Sequence, residues 1–266
     1  MPFKISELYV YPIKSLSGIK VQKSILTAKG LQYDRRWVLT DTEGQFITQR
    51  KLPQLVFFKT QLTEKGLVVS HKDAATDILI PIRGAKEDDH KMRVTVWGDE
   101  VNAVIESTVI NAWFSKLMGF EVYLAFLPNE DGQRRVKNHV DAPIDFPDAA
   151  PYLVLGQVAL NHLNSLLEIP IPINRFRANI IFEGGTPNME DDWTAIKIRK
   201  SDFEAVKTCA RCQVTTTDQE TGVVSKEPIR TLATYRKEAN RILFGRYFKL
   251  KEGEGIEISV GDKIEV

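Results

Sequence analysis

Residues 36–49 read RWVLTDTEGQFITQ: two β-prone runs, 36–40 and 45–49, flanking the turn DTEG at 41–44. Gly44 supplies the positive φ that so tight a return needs, so the segment predicts a hairpin. The same texture extends outward. Residues 5–11 alternate, and 55–62, 66–70 and 77–82 are further short β-prone runs separated by charged or glycine turns. Short strands at regular spacing predict a barrel or a strongly curved sheet.

A helix breaks the rhythm over 109–118, where Ile110, Trp113, Phe114 and Leu117 fall at helical spacing and Gly119 is a natural stop. Residues 128–151, PNEDGQRRVKNHVDAPIDFPDAAP, predict a long loop, which in a compact protein is functional or linking. A second helix is expected within 156–168, turning Leu160, Leu163, Leu166 and Leu167 inward. Strand character returns at 175–183, 194–198, 203–208 and 212–217. Pro228 opens a helix expected over 229–243, and the final GIEISVGDKIEV predicts strand, Gly-Asp turn, strand. No internal repeat is visible. The expected class is α+β with mostly antiparallel strands, in two parts, 1–122 and 123–266.

The composition excludes several functions. Of 266 residues, 36 are Lys or Arg and 35 Asp or Glu, giving a formal charge of +1. That balance provides no general field for polyanions, so a general nucleic-acid binder is disfavoured and any anion site must be local. With 43% hydrophobic residues, 16 glycines and 12 prolines, the chain is neither collagen-like nor disordered. Two cysteines cannot build a disulfide framework, and with four scattered histidines they do not complete a protein-only zinc site. The start, MPFKISELYVYPIKSL, has no apolar core behind a basic end, and no run approaches a membrane span. A cytoplasmic protein with no membrane partner is expected, its thiols free or metal-bound.

Cys209-Ala-Arg-Cys212 is the sharpest local feature. Its spacing fits half a zinc site, a redox dithiol, an inert pair, or one metal-bound thiolate beside a spectator. The neighbouring Lys207 and Arg211 favour a thiolate. The segment NRFRANIIF, 174–182, read as a strand, places Arg175, Arg177 and Asn179 on one face over roughly 13 Å. Guanidinium forks suit phosphate or carboxylate. YPIKS at 11–15 and DRRW at 34–37 add cationic and hydroxyl donors where loops meet strands, Arg134 and Arg135 lie in the long loop as a mobile basic segment, and Asp191-Asp192-Trp193 reads as an acidic turn with a packed tryptophan.

Together the ordered motifs YPIKS, GLQYDRRW (30–37), FITQR (46–50), FRANI (176–180), the acidic pair before Trp193, CARCQVTTTD (209–218), EPIRTL (227–232), FGRYF (244–248) and VGD (260–262) resemble the MOSC proteins. They are similar in particular to the bacterial YcbX group and the mitochondrial amidoxime reducing component. The resemblance implies a β-rich amino-terminal domain, a β-barrel-like MOSC domain and a molybdenum–molybdopterin cofactor held between them. It makes Cys212 the metal ligand and catalytic cysteine. Lys14, Ser15, Arg35, Arg177, Asn179 and Arg211 match positions that hold the pterin and its phosphate.

The function it implies is reduction of N-hydroxylated small molecules, such as amidoximes or hydroxylamines, to amines or amidines. The alternative is a carrier of molybdopterin, or of a persulfide on Cys212. Ala149-Ala150 stand where some relatives carry a hydroxyl residue. Longer bacterial relatives append a ferredoxin-like domain that needs four cluster cysteines. With two cysteines this chain is expected to hold no iron–sulfur cluster, and no pyridoxal phosphate. Electrons are then expected from a separate donor, ferredoxin-like or a flavoprotein reductase.

Overall fold

Seven strands close on themselves: β1 (Phe3–Val10), β2 (Tyr152–Gly156), β3 (Ile180–Glu183), β4 (Ala195–Ile198), β5 (Ser201–Ala210), β6 (Arg241–Glu252) and β7 (Lys263–Glu265). The computed structural model describes residues 2–84, 86, 88–128 and 142–266, with the backbone of 134–135. The order around the barrel is β2-β3-β1-β7-β4-β5-β6, and β6 pairs back onto β2. Every barrel pairing is antiparallel except β2–β3. A parallel pair needs a crossover, and the helix Gln157–Leu166 provides it. The barrel thus joins both chain ends, β1 lying between β3 and β7. Its interior is filled by Ile5, Leu8, Tyr152, Val154, Phe182, Trp193, Phe203 and Phe248, all buried.

The rest of the first half forms a four-stranded sheet from Trp37–Thr40, Tyr123–Phe126, Asp99–Ile105 and Lys91–Val96, and a three-stranded one from Phe58–Thr63, Gly66–His71 and Ile78–Ile80. Trp37, Phe58, Phe114 and Phe126 fill the core between them. The hairpin at 36–49 is present: Ile47 N–H donates to Leu39 O at 2.8 Å and Asp41 N–H to Gln45 O at 3.0 Å. Gly44 has φ +79°, and a Cβ there would lie 2.1 Å from the Arg93 carbonyl oxygen, so no other residue fits. The first helix, Thr108–Met118, is capped by Ser107 and ends at Gly119 with φ 78°. No helix among the described residues is long and apolar enough to cross a membrane.

The α+β, mostly antiparallel class holds; several local expectations do not. Residues 175–179 are not strand: Ile173–Phe176 is a 3-10 turn, Arg177 is left-handed at φ 53°, and β3 begins at Ile180. The pleat therefore does not put Arg175, Arg177 and Asn179 on one face. Residues 213–216 also form a 3-10 turn rather than a strand, closed by Thr215 N–H and hydroxyl donating to Cys212 O. The helix expected over 229–243 is one turn, Ile229–Leu232. Its remainder is turns and a two-residue strand, Lys237–Glu238, up to Arg241, where β6 begins; β6 pairs with β5 from Ala210↔Leu243 to Asp202↔Glu252, a ladder that outweighs helical propensity. Residues 55–62 divide into a 3-10 turn, Pro53–Phe57, and a strand. Leu166 is half exposed, whereas Leu160 and Leu163 are buried. Of the loop expected over 128–151, residues 129–133 and 136–141, with His139, lie outside the described residues, as do the side chains of Arg134 and Arg135, whose backbone pairs with Pro143–Ile144.

Candidate functional site

β5 carries three register shifts against β6, at Asp202/Phe203, Ala205/Lys207 and Thr208/Ala210. Such bulges bend a strand and re-aim the side chains beyond them. Here they deliver Cys209–Cys212 to one end of the barrel, beside the loop that leaves β1 and the turn that enters β3. Between these segments lies a cavity of about 220 Å³. Lys14, Ser15, Arg35, Arg177, Asn179, Arg211 and Cys212, the seven residues singled out in the sequence, all line it.

Three of them, Ser15 at φ 70°, Arg35 at φ 48° and Arg177 at φ 53°, sit in the left-handed region that non-glycine residues avoid. Three such residues around one cavity mark a site where geometry is held at a cost of order 1 kcal/mol each. Arg35 is held by an ion pair with Asp34 and by its own Nη2 donating to Arg177 O at 2.8 Å. Both Arg35 and Arg177 place their guanidinium carbons 4.4 Å from the centre of the Tyr11 ring. That ring is buried, which pushes its hydroxyl up to about 12.

Among the described residues, eight basic side chains line the cavity against a single carboxylate, that of Asp148. Lys14 is ion-paired with Asp148 and donates to Phe146 O at 2.8 Å. Burial alone would raise the Asp148 carboxyl, but Lys14, with Trp97 and Arg50, holds it well below the usual carboxylate range. Arg177 and Arg211 are different. Arg177 Nη1 donates to Leu16 O at 2.7 Å; Arg211 donates from Nε to Phe244 O at 2.7 Å and from Nη1 to Phe176 O at 2.8 Å. Among the described residues no carboxylate is ion-paired to either. Burial and the nearby Arg35 pull Arg177 down to about 10, still charged at neutral pH. Arg211 Nη2 is buried with no hydrogen-bond partner. Arg211 approaches the barrel closely enough that a Cβ on Gly245, at φ +83°, would lie 3.3 Å from Nη2.

The two thiols separate cleanly. Cys209 is 2% exposed and belongs to the apolar cluster with Phe176, Ile181 and Phe244; burial pushes its thiol up. Cys212 is half-buried and lines the cavity. Asn179 is committed to the frame: its carbonyl oxygen accepts from Leu153 N–H and its amide donates to Tyr9 O, each at 3.2 Å. One amide N–H and one lone pair of the carbonyl oxygen are what it has left for a ligand. Ser15 makes no side-chain hydrogen bond within the described chain.

Four further basic residues complete the lining: Arg50, Arg175, Lys207 and Arg241. Arg50 stands in the FITQR motif and Arg175 in the basic strip, so both are visible in the sequence without a role. Lys207 figures there only as a neighbour of the thiols. Arg241 gives no signal, because it lies inside the helix expected at 229–243. Trp193 is packed at 3% exposure behind the 3-10 turn Met189–Asp192, as the acidic turn implied.

The fold and site define a closed β-barrel protein with a half-buried cysteine beside a cation-lined cavity. Residues 2–121 match the MOSC N-terminal beta barrel domain and residues 141–265 match the MOSC domain. The chain belongs to the MOSC family. It is 33% identical over 281 residues to mitochondrial amidoxime-reducing component 1 of Homo sapiens, covering 98% of this chain and 82% of the relative. The counterpart from Mus musculus is 31% identical, with 98% and 81% covered. It is also 30% identical over 278 residues to the molybdenum cofactor sulfurase of Oryza sativa subsp. japonica, with 96% of this chain covered. The chain spans about a third of the length of that sulfurase, 34%.

Proposed function

We propose that this protein binds a molybdenum–molybdopterin cofactor in the cation-lined cavity, with Cys212 as its one protein ligand to the metal, and reduces N-hydroxylated small molecules with electrons from a separate donor protein. The observation that carries this is the conjunction of an accessible thiol with half-buried arginines that have no ion-paired carboxylate among the described residues. The residues fit the group. A phosphate needs charge and several donors, and Arg177, Arg211 and the free Ser15 hydroxyl offer both. Among the described residues no three His, Cys, Asp or Glu side chains converge as a metal cage. A thiolate is a soft donor suited to the cofactor's metal.

When bound, the group would supply the two-electron chemistry that removes the nitrogen-bound oxygen. The chain does the rest. Arg177 and Arg211 hold the anion, Arg35 and Tyr11 fix the plane in which Arg177 lies, and Asn179 ties β1, β2 and β3 together behind them. Ala149 and Ala150 form a wall without side-chain donors.

Protein made in a host with active cofactor biosynthesis tests this, with benzamidoxime as substrate and a ferredoxin or flavoprotein reductase as donor. Cys212→Ser is expected to abolish reduction, and Cys209→Ser to retain most of it while losing about 1 kcal/mol of stability from a polar group in an apolar cluster. Equal loss in both variants points to a dithiol, and molybdenum-loaded protein inactive on every N-hydroxylated substrate overturns the reading. The sulfurase relative motivates one alternative, a carrier: a persulfide on Cys212 by mass spectrometry, without turnover, would establish it.

A further inference from the structure

Cys212 and Arg211 line not one cavity but two. The second, of about 510 Å³, is completed by Gln213, Thr216, Ser225, Lys226, Ile229 and Arg230. Its volume is in the range of small-molecule pockets. We infer that this second cavity seats the body of the substrate, and that it selects N-hydroxylated compounds bearing an anionic substituent, an inference that rests on the reductase reading above.

The chemistry of the lining narrows the class. Most of its polar groups are already engaged. The Thr216 hydroxyl donates to Gln213 O at 2.8 Å, the Ser225 hydroxyl to Glu227 O at 3.0 Å, and Arg230 Nε to Glu227 Oε1 at 2.6 Å. Apart from Cys212 and Arg211 Nη2, which the two cavities share, the Gln213 amide and the Lys226 ammonium, both on exposed residues, make no hydrogen bond within the described chain. An amide both donates and accepts, which is what an N–OH group beside a C=N or N–H requires. Gln213 is the residue directly after Cys212, so this group stands next to the proposed reacting centre. Ile229 gives the cavity apolar contact, and Lys226 offers a charge with no ion-paired carboxylate among the described residues, unlike Arg230. Beside the thiol the lining thus presents an amide, an apolar side chain and a cation. The complementary molecule has an N-hydroxylated end, a flat apolar body and a carboxylate or phosphate.

Calorimetric titration of the purified protein with benzamidoxime, its 4-carboxy derivative and its 4-phosphonate derivative tests the assignment without relying on turnover. The anionic derivatives are expected to bind about fivefold tighter than the neutral parent, the size of one exposed charge pair. In Lys226→Glu that ratio should fall to one or below. Lys200→Glu makes the same charge change in the β4–β5 turn and should leave the ratio as it is. Whichever derivative binds more tightly identifies the anion as carboxylate or phosphate. Equal binding of all three compounds, or an equal effect of Lys200→Glu, overturns the inference. Selective binding with no turnover by metal-loaded protein contradicts the reductase reading and leaves the cavity assignment standing; turnover with no anionic preference does the reverse.

Discussion

The two ends of the cation-lined cavity balance their charge in opposite ways. At one end Lys14 meets Asp148, which also accepts from Trp97 Nε1 at 2.9 Å and faces Arg50 at 3.6 Å. At the other, Arg177 and Arg211 are bonded to the carbonyls of Leu16, Phe176 and Phe244. Carbonyls satisfy N–H groups but bring no net charge. The first end is a finished ion pair; the second is a surplus held in place. A desolvated cation with no ion-paired carboxylate is costly, and desolvation with the nearby Arg35 lowers Arg177 although Tyr11, Asp34 and Asp148 act against it. Stability alone would not select such an arrangement, whereas an anion arriving there would relieve it. Under the function proposed above, the ligand's phosphate is expected at the Arg177 end.

The strongest way to break this comparison is Arg177→Met. Affinity for inorganic phosphate or pyrophosphate should fall ten- to a hundredfold, the scale of a lost charge-assisted hydrogen bond. The unliganded variant should nonetheless melt no lower than the parent, since the unpaired charge is gone; a large drop in melting temperature with unchanged anion binding would refute the surplus. Gly245→Ala sharpens the same end. It places a Cβ 2.9 Å from Val154 O at φ +83°, against Arg211, and should cost about 2 kcal/mol by denaturant melt with weaker anion binding.

At the finished end, Asp148→Asn should cost about 1 kcal/mol, discounted because the Asp148 side chain is 44% exposed. The same pair sets a pH dependence. Asp148 is held below its ordinary 3.8, so the unfolded chain binds the proton first on acidification. The stabilisation is full above about pH 4 and is lost as pH falls toward the lower, folded value. The variant should lack that acid limb in a pH series of unfolding curves.

How much of the molecule is legible in its sequence depends on where the determining contacts lie. The hairpin at 36–49, the helix ending at Gly119 and the packed Trp193 are written in local pattern, because Gly44, Gly119 and the alternation act within a few residues. The seven site residues are legible as motifs. What the pattern does not show is set by distant partners. The end of the helix-like stretch enters β6, which pairs with β5 from Leu243, and Arg241, at the start of β6, pairs with Glu238. Arg177 reaches the cavity through a left-handed backbone that alternation does not encode. The separation of Cys209 from Cys212 depends on the bulges of β5, which turn one thiol into the apolar cluster and leave the other beside both cavities.

The most direct test is the molybdenum and released pterin content of the purified protein from a cofactor-competent host, measured beside Cys212→Ser and Arg177→Met. Molybdenum and pterin should both be stoichiometric with the parent chain, with molybdenum retention lost in the cysteine variant and pterin in the arginine variant. A parent chain that carries neither, while folded and made alongside a known molybdopterin protein that does, would contradict the account.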